Sequence, residues 1–214
     1  MILHKDKLLV YLCAVPRPTT PKKRRRPDWV ALRLLATSQE GYFSASQARA
    51  AGFSPQLLLK HLSAKRIERV RRAIYRLVDV PAGDHDGMII AWLWTGAWGV
   101  VSHESALFLH DLSDALPAKV HLTVPPPWKR RRLRVPRGIT LHFAVVTDQE
   151  RAWVGALPVT TVRRTLGDCL SAHVSVELLA QASAQAAARG LIRADEAIPA
   201  TSLTLWRSRV GSSS

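Results

Sequence analysis

Residues 44–63 constrain the fold of this chain more than any other stretch. Ser44-Ala-Ser-Gln47 is a capping box, in which a serine at the N-cap and a glutamine three residues on satisfy two orphaned backbone N–H groups. It starts a short helix to about Ala51, Gly52 breaks that helix, and Phe53 follows as an apolar plug. Ser54-Pro55 is a second cap with proline at the first helical position, and its helix runs to about Ala64. Two short capped helices across a glycine turn make a helix-turn-helix. A further helix precedes them. Asp28 caps a run whose apolar residues Trp29, Leu32, Leu35 and Ala36 fall three to four apart, and Gly41 ends it. Residues 67–70 and 73–78 then read as two strands around a tip at Arg71-Arg72. In that hairpin Val70 and Ile74 face the core, and Arg69, Arg71 and Arg76 stay outside. The pattern is a winged helix-turn-helix over residues 28–80.

Charge bears on what such a unit meets. The chain has 214 residues and a formal net charge of +15, from 31 Lys and Arg against 16 Asp and Glu. Residues 1–80 hold 17 of the basic and 5 of the acidic side chains, so the excess is concentrated in that N-terminal segment. An evenly basic chain would reflect codon usage; clustered charge beside a helix-turn-helix points to a polyanion. Residues 1–27 end in five consecutive cations between prolines and read as a disordered arm, either phosphate-binding or merely solvated.

The second part, residues 84–200, reads as a mixed α/β domain, and residues 201–214 as a frayed tail. The fold class expected is therefore α+β: a winged helix-turn-helix followed by a mixed α/β domain. Helices are expected at 86–98, 103–111, 162–171 and 176–189. Residues 119–124 and 139–145 alternate apolar and polar, as half-buried strands of an antiparallel or mixed sheet do. Two cysteines, Cys13 and Cys169, make no disulfide framework, which suits a reducing compartment; with a DNA-binding headpiece the expected location is cytoplasmic and nucleoid-associated. Cys169 reads as a small core residue. The longest apolar run, residues 88–101, is too short to span a bilayer. Residues 5–16 mimic a signal peptide weakly, without a small-residue cleavage site.

The second helix of a helix-turn-helix enters the major groove with its N-terminal residues at base edges. Here Leu58 and Leu62 make its core stripe and leave Gln56, Lys60, His61 and Ser63 more exposed. Gln56 suits an adenine edge, and Lys60 suits guanine O6 or N7. Ser54, with Ser44 and Gln47 of the preceding helix, is placed for phosphates. Lys65, Arg66, Arg71 and Arg72 would clamp the flanking backbone or a minor groove. A second basic patch, Lys129, Arg130, Arg131, Arg132 and Arg134, lies on the connection between the two alternating strands. Its partner is either DNA, with Trp128 against a sugar edge, or an acidic protein face, and otherwise the segment is a solvated loop.

Other constellations are weaker. Ser102-His103 sits at a helix start, where adjacent side chains diverge by about 100°, so Ser102 reads as a cap and not as a nucleophile. The histidines show no metal-ligand spacing; His121 and His142, on polar strand faces, are the least unlikely metal-binding pair, but ordinary surface histidines explain them, and no metal or cofactor is expected. Arg163 and Arg164 crowd the positive end of a helix, where either an anion or the i,i+4 partner Asp168 would compensate. No lysine has an acid two positions upstream and no Gly-Lys dipeptide occurs, which argues against a nuclease centre and a phosphate-binding loop.

Three blocks carry a family resemblance. Gly41–Ser54 with Arg66-Ile-Glu-Arg-Val70 and Ile74–Leu77 resembles the N-terminal winged helix of AbiEi-type antitoxins of bacterial type IV toxin–antitoxin systems. Val101–Leu107 with Leu109–Ser113, and Leu157–Thr161 with Arg164–Leu166, resemble that family's two other recurring blocks. Lys65 and Ala73 depart from it, standing where glycines are expected before and within the wing. The resemblance implies a repressor of its own operon that binds inverted repeats in double-stranded promoter DNA. It also implies a C-terminal domain that counteracts a nucleotidyltransferase-type toxin without a stable complex, with no membrane involved. A solitary regulator without a toxin, or a nuclease-related enzyme carrying this headpiece, are the alternatives.

Overall fold

The computed structural model describes residues 26–112, 117–193 and 195. The expected arm at 1–27, apart from its last two residues, and the expected tail at 201–214 lie outside them, as do Cys13 and Ser113. The chain divides into two compact units after Trp98.

The first unit is built as its caps dictate. Helix α1 (Trp29–Thr37) starts where the Asp28 carboxylate accepts from Ala31 N–H at 2.9 Å, and it buries Leu32 and Ala36. Strand β1 (Tyr42–Ser44) leads directly into α2 (Ala45–Ala50). The capping box is present in both directions, with Gln47 N–H on Ser44 Oγ at 3.2 Å and Ser44 N–H on Gln47 Oε1 at 2.8 Å. The break after α2 turns at Gly52, whose φ of +89° is a left-handed geometry that glycine adopts without a Cβ clash. Helix α3 (Pro55–Ser63) then begins with Ser54 Oγ accepting from Leu57 N–H. Strands β2 (Ile67–Arg71) and β3 (Ile74–Leu77) form the wing, and the antiparallel sheet runs β1-β3-β2. Leu32, Phe43, Phe53, Leu58, Ile67 and Leu77 close the core between helices and sheet. Burying each large apolar side chain in such a core contributes about 1.5–3 kcal/mol.

Three details differ from the sequence expectation. The β2–β3 register slips between Arg69 and Arg71, and this bulge leaves Val70 40% exposed instead of facing the core. Arg76 is not outside: it pairs with Glu68 at 3.0 Å, donates to the Val80 carbonyl at 2.6 Å and lies over the Tyr42 ring. Helix α4 (Asp86–Trp94), expected to head the second domain, packs against β1 and β3 in the first unit. Its apolar residues Met88, Ile89, Ala91, Trp92 and Leu93 are buried, and it ends four residues before the expected position.

The second unit is a five-stranded mixed sheet with helices. Its strands are β4 (Val100–Val101), β5 (Val120–Val124), β6 (Ile139–Phe143), β7 (Arg151–Val154) and β8 (Leu157–Thr160), in the order β6-β5-β4-β8-β7. β5 and β6 are parallel, as are β4 and β8; the other two pairs are antiparallel. Helices α5 (His103–Leu109), α6 (Val162–Ser171) and α7 (Val176–Ala188) share one apolar cluster around Leu107, Leu166, Cys169, Leu179 and Ala182. Cys169 is fully buried there, and burial pushes its thiol up to about 12. β4, β7 and β8 were not foreseen. The β7–β8 turn places Gly155 at φ +56°, a position where a two-residue hairpin favours glycine.

Candidate nucleic-acid interface

The winged helix positions its outward side chains by burying the others. On α3 Leu58 is 4% exposed, so Gln56 and Lys60 face away from the core. Between them Leu59 is 62% exposed, an apolar side chain on the same outer surface that the sequence reading passed over. An exposed leucine among polar residues on a groove-entering helix can meet a thymine methyl group. Ser54 is exposed at the helix start, and Lys65, Arg66, Arg71 and Arg72 are exposed along the β2 flank and the wing tip.

Three residues named with these seven are engaged inward. Ser44 is buried and spends its hydroxyl on the cap and on Ser46 Oγ at 2.7 Å. Gln47 donates its side-chain amide to Gln39 Oε1 at 2.8 Å, and buried Gln39 in turn donates to the Tyr42 carbonyl. His61 stacks on Trp29 with centroids 4.6 Å apart and rings 5° from parallel, and it leans edge-on toward Phe53. Burial lowers its pKa, so the ring is held neutral. The exposed polar side chains on α2 are instead Ser46 and Arg49. A capping-box glutamine is committed to the backbone by its role, and that was the signal available in the sequence.

The two departures from glycine keep glycine's geometry. Lys65 has φ +52° and Ala73 has φ +62°. With the bulge beside it, Ala73 occupies the left-handed position of a bulged hairpin, and its carbonyl accepts from Ala45 N–H at 2.8 Å. The wing tip is therefore formed at the expense of left-handed backbone on a side-chain-bearing residue.

The second basic patch is partly ordered by its own tryptophan. Residues Pro126–Arg130 form a 3₁₀ turn that buries Trp128, and the Arg131 guanidinium lies 4.3 Å from that ring's centroid. Trp128 is thus a core residue and not a free face for a sugar. Lys129, Arg130, Arg132 and Arg134 are exposed. The crowded helix end resolves within the fold, since Arg164 donates to Asp168 Oδ1 and to Glu150 Oε1, both at 2.8 Å, and to the Val145 carbonyl. The Thr147 backbone N–H, then Arg164 and the Thr147 hydroxyl, hold the Glu150 carboxyl at about 2.

Ser102 does not cap α5 with its side chain. His103 takes φ +54°, which releases it from the helical direction and lets its Nδ1 meet Ser102 Oγ at 2.9 Å. Ser102 is fully buried, and its Oγ accepts from Thr123 Oγ1 at 2.8 Å, so its hydroxyl is engaged inside the fold. Among the described residues His103 joins the pair His121 and His142, and the three converge into a cluster whose ring nitrogens could hold a metal ion, which sequence spacing did not suggest.

Comparison with known proteins bears on the first unit. Residues 30–78 match the AbiEi_4 family, described as transcriptional regulator, AbiEi antitoxin. The AbiEi match runs from α1 to the end of the wing, and it supports a DNA-binding, antitoxin-like regulator. The resemblance at residues 101–113 and 157–166 lies outside it. No curated protein matches the chain. Among solved structures, the crystal structure of the RV2827C protein from Mycobacterium tuberculosis is similar over 87% of this chain and 83% of that one, at 15% identity and a TM-score of 0.42. No helix of the described residues is long and apolar enough to cross a membrane.

Proposed function

We propose that the chain is a transcriptional regulator that binds its own promoter through the winged helix and represses its operon. On this reading the second unit counteracts a nucleotidyltransferase-type toxin. The observation that carries the DNA half is the outer surface of α3, where Gln56, Leu59 and Lys60 stand clear of the buried Leu58 and are flanked in sequence by Lys65, Arg66, Arg71 and Arg72, all exposed. Phosphate contacts from such cations supply affinity and register, and the helix side chains supply sequence preference. Ser54 adds a hydroxyl at the helix start. Lys129, Arg130, Arg132 and Arg134 are a second phosphate-binding surface on this reading.

Footprinting of the full chain on its own upstream DNA tests the proposal. Protection of an inverted repeat, lost in the Gln56→Ala/Lys60→Ala variant, is the expected result; protection that ignores sequence refutes it. The toxin half is tested separately by co-expressing the product of the adjacent reading frame. A solitary regulator is the second reading, since the matched residues 30–78 cover the winged helix that both readings use. It predicts repression without any rescue from toxicity.

A further inference from the structure

The second unit gathers three imidazoles that stand 18 and 21 residues apart in the chain. β5 and β6 run parallel with Thr123 opposite His142, so His121 and His142 fall on one face of the sheet, offset by one diagonal step. His103 stands two residues after the end of β4, and Ser102 N–H donates to the His121 carbonyl at 3.1 Å, which places the start of α5 beside β5. One ring nitrogen from each residue lies within 4.8 Å of the others. His121 Nδ1 and His142 Nε2 are 3.1 Å apart, and the rings of His103 and His142 stack with centroids 3.4 Å apart.

We propose that His103, His121 and His142 form a binding site for zinc or a similar divalent first-row ion, with Glu104 as the outer partner of His121. Imidazole nitrogens suit such ions, and three of them with an open fourth position are a recurrent zinc ligand set. Two nitrogens on a tetrahedral zinc, each ~2.0–2.1 Å from the metal, are roughly 3.4 Å apart, close to the spacing of the His121–His142 pair.

The outer partners are already in place. Glu104 Oε2 lies 3.3 Å from His121 Nε2, which fixes the tautomer that leaves Nδ1 as the ligand atom. Ser102 Oγ occupies His103 Nδ1 at 2.9 Å and leaves its Nε2 available. A shared ion needs its ligand rings edge-on, so the His103 and His142 rings part from their stack as it enters. Burial keeps His103 and His142 neutral, at about 3 and about 4, and lowers His121 as well; the neutral ring is the form that ligates. The left-handed backbone of His103 is a strained conformation of the kind that persists where the surroundings over-determine it. An ion held there would tie β5, β6 and the start of α5 at one point.

The test uses the full chain without an affinity tag, stripped with a chelator and titrated with Zn²⁺ against a chromophoric competitor. One equivalent should bind. His121→Ala and His142→Ala should each weaken binding at least ~100-fold, Glu104→Gln should weaken it about 10–100-fold, and His85→Ala should leave it unchanged. Binding equal in the wild type and the His121→Ala/His142→Ala double variant overturns the proposal. Zinc-edge X-ray absorption of the wild type settles the matter should the alanine variants fail to fold. A shell with about three imidazole nitrogens at ~2.0–2.1 Å supports the site, and an oxygen-only shell or no retained zinc shows a purely hydrogen-bonded histidine cluster.

Discussion

The salt dependence of operator binding can be worked out from the exposed cations of the winged helix. Lys60, Lys65, Arg66, Arg71 and Arg72 are all exposed. If each neutralises one phosphate, the log–log slope of affinity against salt is about −0.9 for each contact, or roughly −4.5 for one winged helix. A fourfold rise in salt, from about 50 to 200 mM, then costs roughly 500-fold in affinity. Removing Arg71 and Arg72 together with serine substitutions should bring the slope to about −2.7, and the same rise would cost only about 40-fold. The fold has little reason to suffer, because both side chains lie at the tip of the hairpin beyond the buried Ile74. Fluorescence anisotropy of a labelled promoter fragment at four or five salt concentrations measures both slopes. A wild-type slope shallower than about −1 refutes the phosphate reading of this surface, and so does a double variant that keeps the wild-type slope.

Three further outcomes follow from particular residues. Gln56→Ala should cost about 1–3 kcal/mol on the operator and little on random DNA, measured by competition binding; equal losses would make Gln56 a backbone contact. Ala73→Gly should relieve about 1–2 kcal/mol of left-handed strain against ~0.5–1 kcal/mol of added unfolded-state entropy, so winged-helix amides should exchange hydrogen more slowly, and faster exchange would contradict the assigned φ. Glu150 has a folded-state pKa below its unfolded value, so its stabilisation is complete above about 4.5 and is lost as pH falls toward about 2. Unfolding of Glu150→Gln against the wild type should show the variant less stable at neutral pH with the gap closing in that window, and a gap independent of pH would remove the carboxylate from the account.

What could be read in the sequence and what could not divides by the range of the interaction. The caps at Asp28, Ser44 and Ser54 each act within three residues, so four consecutive letters specify them, and the three helices of the helix-turn-helix follow from them, whereas the docking of α4 on β1 and β3 does not. The interior fate of Gln47 follows from the same box, but its second bond, to Gln39, reaches back to the end of α1 and has no local signature. Val70 was misplaced because alternation assumes a regular ladder, and the bulge shifts the register at that residue. The short strand β4, of two residues, is below any periodicity, and β8 carries a proline, Pro158, that lowers its strand signal.

The three histidines fall at the far end of this scale. Metal-ligand spacing is visible in a sequence when ligands share a helix turn or a tight loop, whereas these three histidines come from the first residue of α5, from β5 and from β6. Their meeting depends on a parallel pairing of β5 with β6 and on a left-handed backbone at His103. Ser102 and His103 would diverge at helical φ, and their side chains meet because His103 does not have it. Exposure gave no warning either, since a histidine on the polar side of an alternating strand reads as solvated until a neighbouring element covers it. Here the start of α5 covers that side, and burial then selects the neutral imidazoles that a divalent ion requires.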